Sequence, residues 1–148
     1  MCNNNNSNGN CISELLNVIL ILQQNACTDS GLDSCDRPML GGGPSCLICN
    51  TRPIMLYTCG SNGTPLSMPI TKDATCTCST EGETCECSNV FRVEKIEGNC
   101  ATCRVLTPNP DTTTTSSPWL ATNSFFTINL DCCCIVRCLN DCYVDCVC

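Results

Sequence analysis

Sulfur constrains this chain more than any other property of its sequence. Cysteine occupies 20 of its 148 positions and histidine none, which exceeds the ~8–10% cysteine that marks a disulfide scaffold. Without imidazole the chain lacks the usual general base near neutral pH and the commonest metal ligand. Neither a Ser-His-Asp triad nor a Cys-His pair can be assembled from it. No other acid–base pair and no phosphate-binding loop is visible. The expectation is a non-enzyme, with no catalytic residue, no bound cofactor and no assigned metal site.

The rest of the composition points to a thin core. Leu, Ile, Val and Phe total 32 of 148 residues, just above the ~20% below which chains tend to stay disordered. A chain of this length forms one domain, and a small core of this kind needs staples or subunit contacts. The net charge is −7, with only two lysines, Lys72 and Lys95, and five arginines. No basic patch forms, so nucleic acid and anionic membrane are poor partners.

Compartment poses a conflict. Cysteine density suggests an oxidising destination. Yet the first basic residue is Arg37, so no positive region precedes the apolar run 15–22, as a secretory signal would require. That run is interrupted by Asn17 and is too short to span a bilayer, so membrane insertion is not expected. The combination fits a protein made in a reducing cytosol and oxidised later.

Residues 1–11 read as a polar, flexible arm carrying Cys2 and Cys11. Residues Ile12–Gln24 read as a helix, because Ile12, Leu15, Leu16, Ile19 and Leu22 follow the i, i+3, i+4, i+7 pattern. Val18, Leu20 and Ile21 widen that stripe, so the helix is either well buried or an oligomer contact. Asn25–Pro44 reads as loop. Strand signals follow at Pro53–Cys59, Pro65–Ile70, Val90–Ile96, Cys100–Leu106 and Ser124–Leu139, with Gly98-Asn99 as a hairpin turn. The last of these alternates apolar and polar residues throughout. The fold class expected is mainly β (α+β): a single β-sandwich-like domain with a short N-terminal helix and flexible cysteine-bearing termini. Its bounds are an arm at 1–11, a domain at 12–139 with the helix at 12–24 and a β-rich part at 50–139, and a cysteine-rich tail at 140–148.

The cysteines fall into groups. Thr75–Ser88 is nearly palindromic about Glu81-Gly82. If those two residues form the turn, Cys78 faces Cys85 and Cys76 faces Cys87, within reach of disulfide bonding. The same Cys-x-Cys array would suit a soft metal in the manner of metallothionein, or stay as thiols. Cys46–Cys49 and Cys100–Cys103 are Cys-x-x-Cys pairs, but their wide separation does not suit a zinc ribbon. Cys76, Cys78, Cys85 and Cys87 are therefore candidates for intramolecular disulfides. Cys2, Cys11, Cys142, Cys146 and Cys148, on the arms, are candidates for bonds to neighbouring molecules.

Several stretches together resemble one family. Asn50-Thr-Arg-Pro-Ile-Met-Leu-Tyr-Thr58, Val90-Phe-Arg-Val-Glu94, Asn99-Cys-Ala with Arg104-Val-Leu106, and Ile128-Asn-Leu-Asp-Cys-Cys-Cys-Ile-Val-Arg-Cys-Leu139 resemble the cysteine-rich spore coat protein Y/Z and exosporium protein Y family of endospore-forming bacteria. Cys87, Cys100, Cys132, Cys134 and Cys138 look like that family's cysteines. The Cys76–Cys87 arm and the Cys142–Cys148 tail look like additions. The resemblance implies a structural protein of the coat or exosporium, synthesised in the mother cell cytoplasm. It implies self-assembly into ring-like homo-oligomers that tile a two-dimensional lattice, contact with other coat or exosporium proteins, and locking by disulfides. The alternative carried beside it is a thiolate metal-binding protein with metallothionein-like Cys-x-Cys sites.

Overall fold

A computed structural model describes residues 10–27, 49–78, 84–111, 113 and 117–148. The helix forms where the apolar periodicity predicts it, as α1, Cys11–Cys27. Asn10 starts it: its side-chain oxygen accepts the Ile12 amide at 3.0 Å and its carbonyl the Glu14 amide at 3.1 Å, satisfying donors that a first turn leaves open. Ile12, Leu16 and Ile19 form the inward stripe, the last two with no exposed surface. Burying each contributes about 1.5–3 kcal/mol.

Among the described residues seven strands follow: β1 (Ile54–Thr58), β2 (Met68–Pro69), β3 (Cys87–Ser88), β4 (Val90–Glu97), β5 (Cys100–Pro108), β6 (Trp119–Asn129) and β7 (Cys133–Cys138). Five form an antiparallel sheet in the order β6-β5-β4-β1-β7, and β2 pairs with β3 in a short ribbon. The β4–β5 hairpin turns at Gly98-Asn99, with Glu97 opposite Cys100. Gly98 takes φ +57° there, a conformation open to glycine at little cost.

The long alternating stretch 124–139 is not one strand. A one-turn 3-10 helix, Leu130–Cys132, divides it into β6 and β7. The Asn129 side chain caps that turn by accepting the Asp131 amide at 3.0 Å. Leu130 is fully buried and its amide donates to the Asn99 carbonyl at 2.8 Å. The break has a topological cause. β6 and β7 occupy opposite edges of the sheet, and edges four strands apart in a flat sheet would lie about 19 Å from each other. The path from Asn129 to Cys133 reaches at most about 14 Å. The sheet must therefore curl on itself, and the 3-10 turn carries the chain from one edge to the other.

The two faces of the curled sheet are covered differently. On one, α1 and residues Leu66, Met68 and Ile70 pack over Ile54, Leu56, Phe91, Val93, Ala101, Cys103 and Val105. Phe91 and Phe126 meet edge to face at 4.7 Å. On the other, residues 139–147 lie against Met55, Val90, Leu106, Trp119 and Ala121. The segment read in sequence as a cysteine-rich tail thus packs on the sheet. Asn50 holds it: its side-chain amide donates to the Val144 carbonyl at 2.8 Å, and its side-chain oxygen accepts the Val144 amide at 2.9 Å.

A buried polar network joins these layers. Arg92 on β4 is 3% exposed. Its guanidinium donates to Thr51 Oγ1 at 2.9 Å, to the Asn50 carbonyl at 3.1 Å and to Glu94 Oε2 at 2.8 Å. Glu94 also accepts Arg104 Nε at 2.9 Å. Gln23 of α1 bridges to the Val93 carbonyl at 2.8 Å and the Arg52 amide at 3.1 Å. Asn50, Thr51, Arg92, Glu94 and Arg104 come from three separate stretches of sequence, and the fold brings them to one place.

Candidate cross-linking surface

The chemistry this chain can perform rests on its sulfur, so the placement of each cysteine decides what it can do. Among the described residues four disulfides close: Cys27–Cys148, Cys59–Cys134, Cys76–Cys85 and Cys78–Cys87. Their Cα separations run from 5.1 to 6.1 Å, within the usual window.

The connectivity at 76–87 differs from the palindrome's. Thr77 and Thr84 are the facing pair: the Thr84 amide donates to the Thr77 carbonyl at 3.2 Å, and the Thr77 amide to Thr84 Oγ1 at 2.9 Å. The register centred on Glu81-Gly82 would set Thr77 opposite Glu86, two residues from the partner it has. Cys76 therefore meets Cys85, and Cys78 bonds Cys87 instead.

Two of the arm cysteines expected to reach neighbours are turned inward. Cys148 is bonded to Cys27 at the end of α1. Cys142 is buried: its backbone pairs with Thr51, and it belongs to the apolar cluster of Val90, Leu106 and Val144. Burial, with Cys49 and Asp141 adding to it, pushes the Cys142 thiol up to about 11. Cys103 is fully buried on β5, and burial, then Cys133 and Glu94, pushes it up to about 12. Since the thiolate is the reactive form, these two are chemically quiet near neutral pH. Cys133 is buried as well. Cys2, Cys35 and Cys46 lie outside the described residues.

Six described thiols remain exposed: Cys11, Cys49, Cys100, Cys132, Cys138 and Cys146. The fold sorts them into two groups. Cys11, Cys100 and Cys132 gather round the β6–β7 junction. Asn10 Nδ2 donates to the Leu130 carbonyl at 3.1 Å, and the Leu130 amide to the Asn99 carbonyl. Cys49, Cys138 and Cys146 lie around the far end of α1, where Cys148 meets Cys27, Cys138 pairs with Ile54, and Arg52 holds Asp141 at 2.7 Å. Helix α1 runs from one group to the other, a length of about 25 Å at ~1.5 Å per residue. Of the arm candidates, Cys11 and Cys146 are therefore accessible. Cys49, Cys100, Cys132 and Cys138 lay outside that set, the last three named only as family-type cysteines. Their accessibility comes from the ends of strands that tertiary pairing defines.

Between the two groups runs an apolar stripe that is exposed among the described residues. Leu15, Val18, Ile21 and Leu22 are 40%, 53%, 55% and 49% exposed on the outer face of α1. Cys11, Leu15, Val18 and Leu22 repeat at spacings of four, three and four, the spacing that coiled-coil seams use. β6 bonds only β5 and β7 only β1 within the five-stranded sheet, so each presents an edge.

A structural scaffold with accessible thiols at both ends agrees with the comparison to known families. The model of the family spore coat protein Z matches residues 1–141. The chain belongs to the spore coat protein Z family. Neither a curated protein nor a solved structure matches it. Family membership makes the chain a spore coat structural protein of the outer spore layer. The motifs that carry the resemblance now have a physical role: Asn50, Thr51, Arg92, Glu94 and Arg104 form the buried network that fixes the coat domain's layers. No helix of the described residues is long and apolar enough to cross a membrane.

Proposed function

We propose that this coat protein assembles with copies of itself into ring-like units that tile a two-dimensional layer, and that disulfides then lock the layer. Other coat or exosporium proteins would join through the same surfaces. The observation that carries this reading is the distribution of accessible thiols among the described residues: three at each end of α1, with an exposed apolar stripe between them. Two separated groups let one chain bond to neighbours on opposite sides, which growth of a layer requires.

Geometry must come from non-covalent contacts, because a disulfide specifies a distance and not a lattice. The α1 seam and the edges of β6 and β7 are surfaces of the kind that pair between chains. Oxidation follows, and once neighbours are held, each bond forms between groups already at high effective concentration. No step of this requires catalysis by the chain, in keeping with a non-enzyme.

Electron microscopy of the recombinant chain, with gels run with and without reductant, tests the reading. Ordered sheets or rings and a reducible ladder are expected. Dispersed monomers that oxidation leaves unchanged would overturn it. Lattices that persist under full reduction would assign cysteine the locking role alone.

A further inference from the structure

The 76–87 arm holds a second chemistry that the coat role does not use. The sulfur atoms of Cys76, Cys85 and Cys87 lie within 4.8 Å of one another, although they belong to two different disulfides. Cys78 is bonded to Cys87 and so brings a fourth sulfur to the same place. All four side chains are half-buried. A tetrahedral zinc site with Zn–S of ~2.3 Å has its sulfurs about 3.8 Å apart, a small adjustment from the spacing here.

The hairpin that presents these sulfurs is held by more than the disulfides. Thr77 and Thr84 pair through backbone and hydroxyl groups. Thr84 Oγ1 also donates to the Thr75 carbonyl at 3.0 Å. The Ile70 amide donates to the Glu86 carbonyl at 3.2 Å, and Pro69 pairs with Cys87. The donors would therefore stay close together in the reduced chain.

We propose that, in the reduced chain, Cys76, Cys78, Cys85 and Cys87 bind one zinc ion as a tetrathiolate site, and that oxidation of the four to their two disulfides releases it. All-sulfur donors select soft or borderline cations over magnesium and calcium. The reaction balances with a small-molecule disulfide as oxidant. Cys76 bonds Cys85, Cys78 bonds Cys87, and the four thiolates give up four electrons. Two RS–SR molecules accept them and leave as four RS⁻, and Zn²⁺ departs. Zinc would thereby shield these thiols from mispairing until oxidant arrives. The inference concerns the soluble reduced chain and stands or falls separately from the lattice.

The test uses the full chain, reduced and loaded with zinc under anaerobic conditions. Elemental analysis should find about one tightly held zinc per chain, as a four-ligand site requires. It should be lost in a variant with all four of these cysteines changed to serine. It should persist when Cys11, Cys49, Cys138 and Cys146 are changed instead. In the unaltered chain, zinc should slow alkylation of Cys76, Cys78, Cys85 and Cys87 at least tenfold, read by peptide mass spectrometry. Cobalt in its place should give the visible bands of a tetrathiolate centre. Oxidised glutathione should release the zinc in step with formation of Cys76–Cys85 and Cys78–Cys87. Equal zinc retention by the two variants, or alkylation of the four thiols at the same rate with and without zinc, would overturn the proposal.

Discussion

Cys27 at the end of α1 is bonded to Cys148, 121 positions away in sequence, with their Cα atoms 5.1 Å apart. This bond ties the helix on one face of the sheet to the segment covering the other, and Asn50 reinforces it through Val144 and a contact to Cys148 Sγ at 3.7 Å. Removing a loop-closing bond of this span is expected to cost about 2–5 kcal/mol. The variant Cys148→Ser should melt at lower temperature than the parent. Asn50→Ala should cost about 1–3 kcal/mol, since buried backbone groups of Val144 lose their partner. Thermal melts of both, together with faster alkylation of Cys142 in each, would show that the C-terminal segment has loosened.

Local patterns were legible in the sequence, and long-range ones were not. The periodicity of Ile12, Leu16 and Ile19 marked α1, and short runs with strand signals marked β1, β4 and β5, because local burial writes itself into neighbouring residues. The division of 124–139 was invisible: alternation runs through both halves, and the break depends on Asn99 and on curling of the sheet. The same limit applies to Cys148. Its partner lies 121 residues away, so spacing near the C-terminal end says nothing of it. At 76–87 the cysteines are symmetric about Glu81-Gly82, but hydrogen bonding of Thr77 with Thr84 sets a different register. For α1, the width of its apolar pattern left buried helix and oligomer contact undivided. In the structure one stripe is buried and the other exposed.

Thiol reactivity should separate the cysteines into two classes. Cys11, Cys49, Cys100, Cys132, Cys138 and Cys146 should alkylate readily in the folded chain, and Cys103 and Cys142 only after unfolding. The Cys103 thiol, raised from 9.0 to about 12, has on the order of a thousandfold less thiolate at pH 8 than an ordinary one, counting tenfold per unit. Peptide mass spectrometry after a short pulse of iodoacetamide reads this order directly, and rapid labelling of Cys103 in the native protein would contradict it.

The same shift makes stability depend on pH in the alkaline range. A thiol that ionises at 9.0 when unfolded and at about 12 when folded favours the folded state fully below pH 9. Above it the unfolded chain sheds a proton that the folded chain keeps, so stability falls, by up to about 1.4 kcal/mol per pH unit, until the folded thiol ionises too. With the exposed thiols blocked, urea denaturation at pH 8 and pH 10 should show the loss. Cys103→Ala should be less stable at both values because of the cavity, but with a smaller difference between them.

Arg92 ties Asn50 and Thr51 to β4 and, through Glu94, to Arg104, and it is almost fully buried. Lysine at this position keeps the charge but cannot reproduce the planar fork. Glu94 would keep only Arg104 as a full partner, and Thr51 and the Asn50 carbonyl would lose theirs. Breaking a buried pair of this kind costs about 3–5 kcal/mol. Arg92→Lys should therefore destabilise the coat domain severely, read as a lower urea midpoint. A change confined to the exposed Lys95–Glu97 pair, with side chains 61% and 72% exposed, should have little effect.

The outer stripe of α1 offers the sharpest separation of folding from assembly. Val18 is 53% exposed and Leu16 is fully buried, two positions earlier on the same helix. Glutamate at 18 leaves the domain's own core untouched, so the monomer's stability should change by no more than about 0.5 kcal/mol. It would place charges in the seam between neighbouring helices, and assembly by size-exclusion chromatography and electron microscopy should be lost. Leu16→Glu should unfold the domain itself, because a carboxylate there has no partner and no water. Cys11→Ser tests the remaining element of the stripe. Ordered arrays should form with the parent's spacing but dissolve more readily without reductant, since the contact would persist while the bond beside it is gone. If Val18→Glu assembled as well as the parent, the contact surface would have to lie on the β6 and β7 edges instead.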